Sequence, residues 1–209
     1  MDLLIATYNA GKIREIEEAL RGLPITPRYL TDFPNAFLVE ETGKTYEENA
    51  VLKAVGYSRQ TGLYSLADDS GLEVDALDGK PGLLSARFGG ENASDIDRTN
   101  KLLQALSAYQ SERAAQFVCC IALSGVPPNA SGLSPIAGKV LNISRGICEG
   151  TIAPEPRGTG GFGYDPVFIP AGYDSTFGEL SPEIKAKLSH RAKALSAMRS
   201  FLREFLKAT

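Results

Sequence analysis

The chain is poor in the residues that mark several common chemistries. It has one histidine, three cysteines and no excess of positive charge. Two of the cysteines are adjacent in Phe117-Val118-Cys119-Cys120-Ile121-Ala122-Leu123, an apolar run that reads as a strand with buried thiols rather than a disulfide or metal framework. The Asn129-Ala130-Ser131 and Asn142-Ile143-Ser144 sequons are then accidental. No apolar run approaches the ~20 residues of a membrane-spanning helix, and no N-terminal stretch reads as a signal. A formal net charge of −3 and a pI of about 5.3 argue against a general nucleic-acid binder. What remains is a chain of 209 residues, 43% hydrophobic and 22% charged, able to bury a sizeable core as one domain, 1–209. A compact cytoplasmic enzyme is the expected class.

The most informative stretch is Ala67-Asp68-Asp69-Ser70-Gly71, which follows the apolar run Leu63 to Ala67. Carboxylates at the mouth of a strand are where a hard cation such as Mg²⁺ is held. Side chains alternate along an extended segment, so Asp68 and Asp69 face opposite ways and only one of them should do the chemistry. Taken alone, Asp-Asp-Ser-Gly reads more readily as a plain turn, and only the company it keeps favours the metal reading.

Polar groups at other breaks in the chain suit a triphosphate. Leu3-Leu4-Ile5 reads as a short buried strand, and Thr7-Tyr8-Asn9-Ala10-Gly11-Lys12 leads from it into a helix with Ile13, Ile16 and Leu20 on one face. Free N–H groups at such a helix start point at an anion, Thr7 and Asn9 add side-chain donors, and Lys12 adds a positive charge. An ordinary N-capped turn fits the same residues. Further on, Thr45 with Glu48 forms a capping-box pattern that predicts a helix to about Gln60, ended by Gly62. Asn49 and Lys53 share a face of it. Glu40 and Glu41, just upstream, could join Asp69 around a metal, although acidic residues before a helix are also favoured by its dipole.

Two apparent motifs fail. Gly158, Gly160 and Gly163 fit G-x-G-x-x-G, but they run into Tyr164-Asp165-Pro166 and a strand rather than opening a helix. A wide backbone loop is the better reading, with Phe162 and Tyr164 as a surface for a base or sugar and Asp165 fixing the turn. Gly43-Lys44-Thr45 ends like a P-loop, yet the required earlier glycine would fall at Leu38. Near the C-terminus, Lys185, Lys187, His190, Arg191 and Lys193 form a basic cluster in an otherwise acidic chain, and Ser181 and Ser189 are helix-start residues. A lone histidine is most often a surface or capping residue; beside Arg191 it suits an anion or base site. Leu195, Met198, Leu202 and Phe205 recur at helical spacing and read as core.

The ordered set Thr7-x-Asn9-x-x-Lys12, Glu40-Glu41-Thr42-Gly43, Glu48-Asn49-Ala50-x-x-Lys53-Ala54, Asp68-Asp69-Ser70-Gly71, Gly160 through Pro166 and Ser189-His190-Arg191 resembles the Ham1-like inosine triphosphate pyrophosphatases, nearly end to end. The resemblance implies Asp69 as proton acceptor and magnesium ligand, with Glu40 as second ligand. It implies that Thr7, Tyr8, Asn9, Ala10, Gly11, Lys12, Lys53 and Ser70 hold the triphosphate and its surroundings. Phe162, Gly163, Tyr164, Asp165, Lys185, His190 and Arg191 would hold the nucleoside. It further implies attack at the α-phosphorus of ITP, dITP or XTP, two lobes with a central cleft, and a homodimer. Tyr8 departs from the family, where Gly or Asn is common; its bulk is tolerable only if it points away from the phosphates. A pyrophosphatase of the Maf type is disfavoured by the Ser-His-Arg signature, and a nucleotide sensor without catalysis by the intact Asp68-Asp69 pair.

Coarsely, the pattern predicts strand 1, helix 13–21, an extended segment near 37–40, helix 46–60, strands near 63–67 and 72–76, and helix 95–108. Strands near 116–124, 139–147 and 166–169 follow, then helices after 181, with a surface loop between Gly125 and Gly138. Helices on both sides of mixed strands make an α/β fold around a long twisted mixed sheet.

Overall fold

The computed structural model describes residues 1–90, 92–109, 111–125 and 138–208. The loop expected between Gly125 and Gly138, with the Asn129 sequon, lies outside them. The chain divides into two compact units, one of Met1–Asp69, Cys120–Arg145 and Ala194–Thr209, the other of Ser70–Cys119 and Gly146–Lys193. The sheet has seven strands in the order β2-β1-β3-β5-β6-β7, with β4 paired to β3.

In the first unit, β1 (Asp2–Ile5) buries its apolar residues and pairs in parallel with β2 (Thr26–Tyr29) and with β3 (Tyr64–Val74). Helix α1 (Ala10–Leu20) makes the crossover that parallel pairing requires and buries Ile16 and Leu20. It starts three residues earlier than periodicity predicts, because Asn9 caps it by accepting from Lys12 N at 3.0 Å. Strand β2 has no apolar alternation and contains Pro27, which an edge position tolerates because Pro has no N–H to offer a ladder. Helix α2 (Tyr46–Thr61) buries Asn49, Ala50, Lys53, Ala54 and Tyr57. Its start is as predicted, with Thr45 Oγ1 accepting from Glu48 N, but the Glu48 carboxylate takes Lys44 N rather than closing the reciprocal box.

Residues 37–40, expected as an extended segment, belong to no helix or strand, and side chains of α2 hold them. The Gln60 amide bonds both the N–H and the C=O of Phe37, Val39 N donates to Tyr57 Oη, and Val39 packs on Gly56, where a Cβ would come within 2.7 Å of it. One expectation does fail here: no turn interrupts β3 at Ser70-Gly71. The strand runs unbroken from Tyr64 to Val74, because strand pairing at each end, to β1 and to β4, outweighs the turn preference of a short polar string. Asp68 and Asp69 therefore sit inside a strand, not at its mouth.

Strands β5 (Ala114–Gly125) and β6 (Lys139–Ile152) are each longer than predicted. Cys119, Cys120 and Cys148 are buried and in no disulfide, and burial pushes the Cys148 thiol up to about 11, which keeps it unreactive. From the last helix, α5 (His190–Ala208), the first unit buries Ala194, Leu195, Met198 and Leu202, the two leucines and the methionine each worth roughly 1.5–3 kcal/mol of apolar burial. Phe205 is only half-buried, against the edge of Tyr64.

The second unit is built on Leu72, Val74, Leu102, Leu106, Phe117, Ile152, Tyr164, Val167, Phe168 and Phe177. Helix α3 (Asp95–Ala105) ends three residues short of its predicted end and carries a complete capping box between Ser94 and Asp97. Strand β4 (Lys80–Pro81) pairs antiparallel with β3, and β7 (Phe168–Pro170) follows a 3-10 turn at Asp165–Val167. Helix α4 (Pro182–Leu188) leads to α5, whose Ser189 Oγ accepts from Ala192 N. Among the described residues no helix is long and apolar enough to cross a membrane.

Candidate active site

In the first unit, the alternation of β3 sends its two carboxylates to different lysines. Asp68, fully buried, pairs with Lys12 Nζ at 2.9 Å. Asp69, 7% exposed, accepts from Asn49 Nδ2 at 3.0 Å and lies 3.7 Å from Lys53 Nζ. Lys53 also pairs with Glu41 at 3.2 Å. Burial pushes the Asp69 carboxyl above the ordinary aspartate range, Glu41 adds to the rise, and Lys53, Asn49 and Lys12 oppose it. Burial works against the Lys53 ammonium, yet Asp69, Asp68 and Glu41 outweigh it and raise its pKa. The result is a buried carboxyl that holds its proton more readily than an ordinary aspartate, beside a firmly charged ammonium.

The turn before α1 is tied internally. Thr7 Oγ1 accepts from Asn9 N at 3.2 Å, and Asn9 Oδ1 caps the helix, so its donor character rests with the amide NH₂. Ala10 is exposed, Gly11 is buried, and the Tyr8 side chain is 60% exposed. The N-capped turn of the sequence reading is thus present at the start of α1.

In the second unit, the Gly-rich loop closes on Asp165. Its Oδ2 accepts from Phe162 N at 2.7 Å and from Lys185 Nζ at 2.6 Å, and a side chain on Gly161 (φ +74°) would collide with it. Lys185 Nζ stands 4.5 Å from the Phe162 ring centroid, and Arg191 Cζ stands 5.7 Å from the same ring. Arg191 also donates to Ser70 Oγ at 2.9 Å. His190 stacks on Phe117 at 4.5 Å and is buried. Thus Ser70, Phe162, Asp165, Lys185 and Arg191 come together as one cluster. Tyr164 does not: its ring is in the core and its hydroxyl donates to Ser85 O at 2.9 Å, so its side chain is no surface for a base. Lys187 and Lys193 are exposed, and Lys193 bonds Ile147 O. A cavity of about 490 Å³ lined by Asp75, Gln116, Glu149, Thr151, Ile169 and Tyr173 contains none of the predicted site residues.

Both the sequence and the fold have counterparts among known proteins. The family model of the Ham1 family matches residues 3–201. The chain belongs to the Ham1 family. It is 51% identical over 201 residues to the dITP/XTP pyrophosphatase of Geobacter sulfurreducens, covering 96% of each chain. Over 207 residues it is 42% identical to the enzyme of that name from Coxiella burnetii, covering 98% of each. The solved structure of a Ham1 protein from Coxiella burnetii superposes with a TM-score of 0.84 at 42% identity, covering 98% of this chain and 99% of that one. That of the Staphylococcus aureus Ham1 protein gives 0.83 at 38% identity, with the same coverage. The mixed sheet flanked by helices is the Ham1 fold.

The donor set of this Ham1 chain fits a divalent cation. Among the described residues no group of three or more His, Cys, Asp or Glu side chains is arranged to hold a metal. Mg²⁺ does not need one, because it keeps several waters and binds through one or two carboxylates plus substrate phosphates. Asp69 and Glu41 each place an oxygen within 4 Å of the Lys53 ammonium, so both face the same cationic group. Glu40 is exposed, one residue away.

Sequence reasoning missed two features of the site. Asn49 was placed on the face of Lys53, but its link to Asp69 depends on strand packing; its other end accepts from Gly43 N at 2.8 Å. The second is Asp95, whose Oδ2 accepts from Gly163 N at 2.6 Å. The two are 68 residues apart, and no local signal joins them.

Proposed function

We propose that this chain is a nucleoside triphosphate pyrophosphohydrolase acting on ITP, dITP and XTP, and that residues 1–209 work as one catalytic domain. The observation that carries the reading is Asp69, a buried carboxylate with a raised pKa set between Lys53 and Asn49. A general base works best when its pKa is brought toward the working pH, and burial does that here. The shared name of the relatives at 42% to 51% identity supports the substrate class.

In this mechanism Asp69 accepts a proton from water as the water oxygen attacks the α-phosphorus. A new P–O bond forms, the bond from that phosphorus to the bridging oxygen breaks, and the electron pair leaves on pyrophosphate. A nucleoside monophosphate remains. Lys12 and Lys53 hold phosphate oxygens and offset the charge that grows on the leaving group. Thr7 to Lys12 contribute the helix N-terminus. A Mg²⁺ ion held by Asp69 with Glu40 or Glu41 would supply further neutralisation of the triphosphate. The base is recognised by donors: His190 and Arg191 suit the 6-carbonyl of hypoxanthine or xanthine, whereas the 6-amino group of adenine leaves them unsatisfied. Phe162, flanked by Lys185 and Arg191, is the stacking face. Action as a homodimer in the cytoplasm completes the reading.

The test is a panel of nucleoside triphosphates with separate detection of pyrophosphate and orthophosphate. ITP should give IMP and pyrophosphate with Mg²⁺ present and nothing after chelation. Orthophosphate as the sole early product would overturn the reading.

A further inference from the structure

The backbone of Phe162 is held by two carboxylates, and only one belongs to its own loop. Phe162 N donates to Asp165 Oδ2 at 2.7 Å, and Gly163 N donates to Asp95 Oδ2 at 2.6 Å. These two N–H groups flank the Cα of Phe162, so together they fix the torsions on both sides of it. The loop needs such fixing, because glycine loses more backbone freedom on ordering than any other residue, and Gly163 adopts φ +64°. What the fixing positions is the ring, with Lys185 Nζ 4.5 Å and Arg191 Cζ 5.7 Å from its centroid.

Asp95 itself is well anchored. It is the first residue of α3, paired with Arg98 at 3.2 Å, in a turn closed by the Ser94–Asp97 capping box. An acidic residue at a helix start is also favoured by the helix dipole, but Asp97 serves that end as well and makes its bonds to Ser94. Only Asp95 reaches the loop.

We infer that Asp95 is a positioning residue for base recognition, acting through the Gly163 N–H to hold the Phe162 ring where a purine stacks. This rests on the nucleotide reading above. Asp95 touches no substrate; its carboxylate sets where the aromatic face stands.

The experiment compares Asp95→Ala, Asp95→Asn, Asp95→Glu and Asp97→Ala in the full chain by calorimetric titration with IMP, steady-state kinetics with ITP, and amide exchange of the 162–164 peptide. In Asp95→Ala the Kd for IMP and the KM for ITP should both rise roughly tenfold or more, the scale of one lost hydrogen bond to a charged group. The kcat should change far less, and the Gly163 amide should exchange faster. Asp95→Asn, which keeps a side-chain acceptor, should recover most of the binding. Asp97→Ala weakens the same helix start without touching the loop and should bind IMP like the wild type. Should Asp95→Ala fail to fold, Asp95→Glu keeps the charge at the helix start but displaces the carboxylate, and should still weaken IMP binding. Wild-type IMP affinity in the Ala or Glu variant overturns the inference, as does an equal loss in Asp97→Ala. A wild-type protein that neither binds IMP nor hydrolyses ITP sinks the nucleotide reading and this inference with it; wild-type turnover with unaltered binding in the Asp95 variants sinks the inference alone.

Discussion

Each compact unit contains a buried aspartate beside a buried lysine, and the two pairs are built differently. Lys185 and Asp165 are in contact at 2.6 Å, and the same carboxylate oxygen also takes the Phe162 N–H. Lys53 and Asp69 are 3.7 Å apart, and the lysine is shared with Glu41. A tight, saturated pair has its lone pairs committed to holding a loop, whereas in the looser pair burial outweighs the attraction and raises the carboxyl pKa. The two pairs thus differ by about an ångström in spacing and in what else their carboxylates hold: a loop N–H for Asp165, the Asn49 amide for Asp69.

The comparison breaks first at Asp69. Asp69→Asn keeps shape but removes the base, so kcat for ITP should fall by roughly 10²-fold or more, the scale of general-base loss. Near-normal turnover would move the role elsewhere. Asp165→Asn should act on folding instead, costing about 3 kcal/mol, because it leaves Lys185 buried without its countercharge. Denaturant titration measures this, and a cost under about 1 kcal/mol would class the pair with exposed ion pairs. Lys53→Ala should lower kcat/KM by roughly tenfold or more through both terms, as expected where charge on the leaving group grows in the transition state. An unchanged kcat/KM would show that its ammonium serves only Glu41 and Asp69.

The smallest effect sharpens the contrast through pH. A carboxyl whose folded pKa is raised contributes stability below its unfolded value, near 3.9 for aspartate, and loses it as pH rises through the folded value. At pH 7 the ionised Asp69 therefore costs stability. Asp69→Asn should unfold at or above the wild-type denaturant midpoint at pH 7, and this advantage should vanish below about pH 4. A clear loss of stability at pH 7 would mean that the Lys53 attraction dominates after all.

Much of the site was legible because it is local. The Asn9 cap, the Thr45 cap and the Asn49–Lys53 face each need only the geometry of one helix turn. The opposed faces of Asp68 and Asp69 follow from strand alternation, and their different lysine partners agree with it. Strand β2 was not legible, since Thr26-Pro27-Arg28-Tyr29 shows no alternation and is ordered by its neighbour β1. The side chain of Tyr164 was misread as a surface because its burial is set by Val167, Phe168 and the Ser85 carbonyl, none visible from the loop's own composition.

By itself the sequence determined which residue types occur, in what order, and which helix ends and strand faces they occupy, because these are short-range consequences of backbone geometry. Tertiary structure alone decided that Asp-Asp-Ser-Gly stays extended, that Asp69 is buried with a raised pKa while Asp165 holds the Phe162 N–H, and that Asp95 reaches Gly163. These depend on distances between segments remote in the chain and on the water excluded around them. Burial and separation set the strength of every charge interaction, and neither is a property of the residues one at a time.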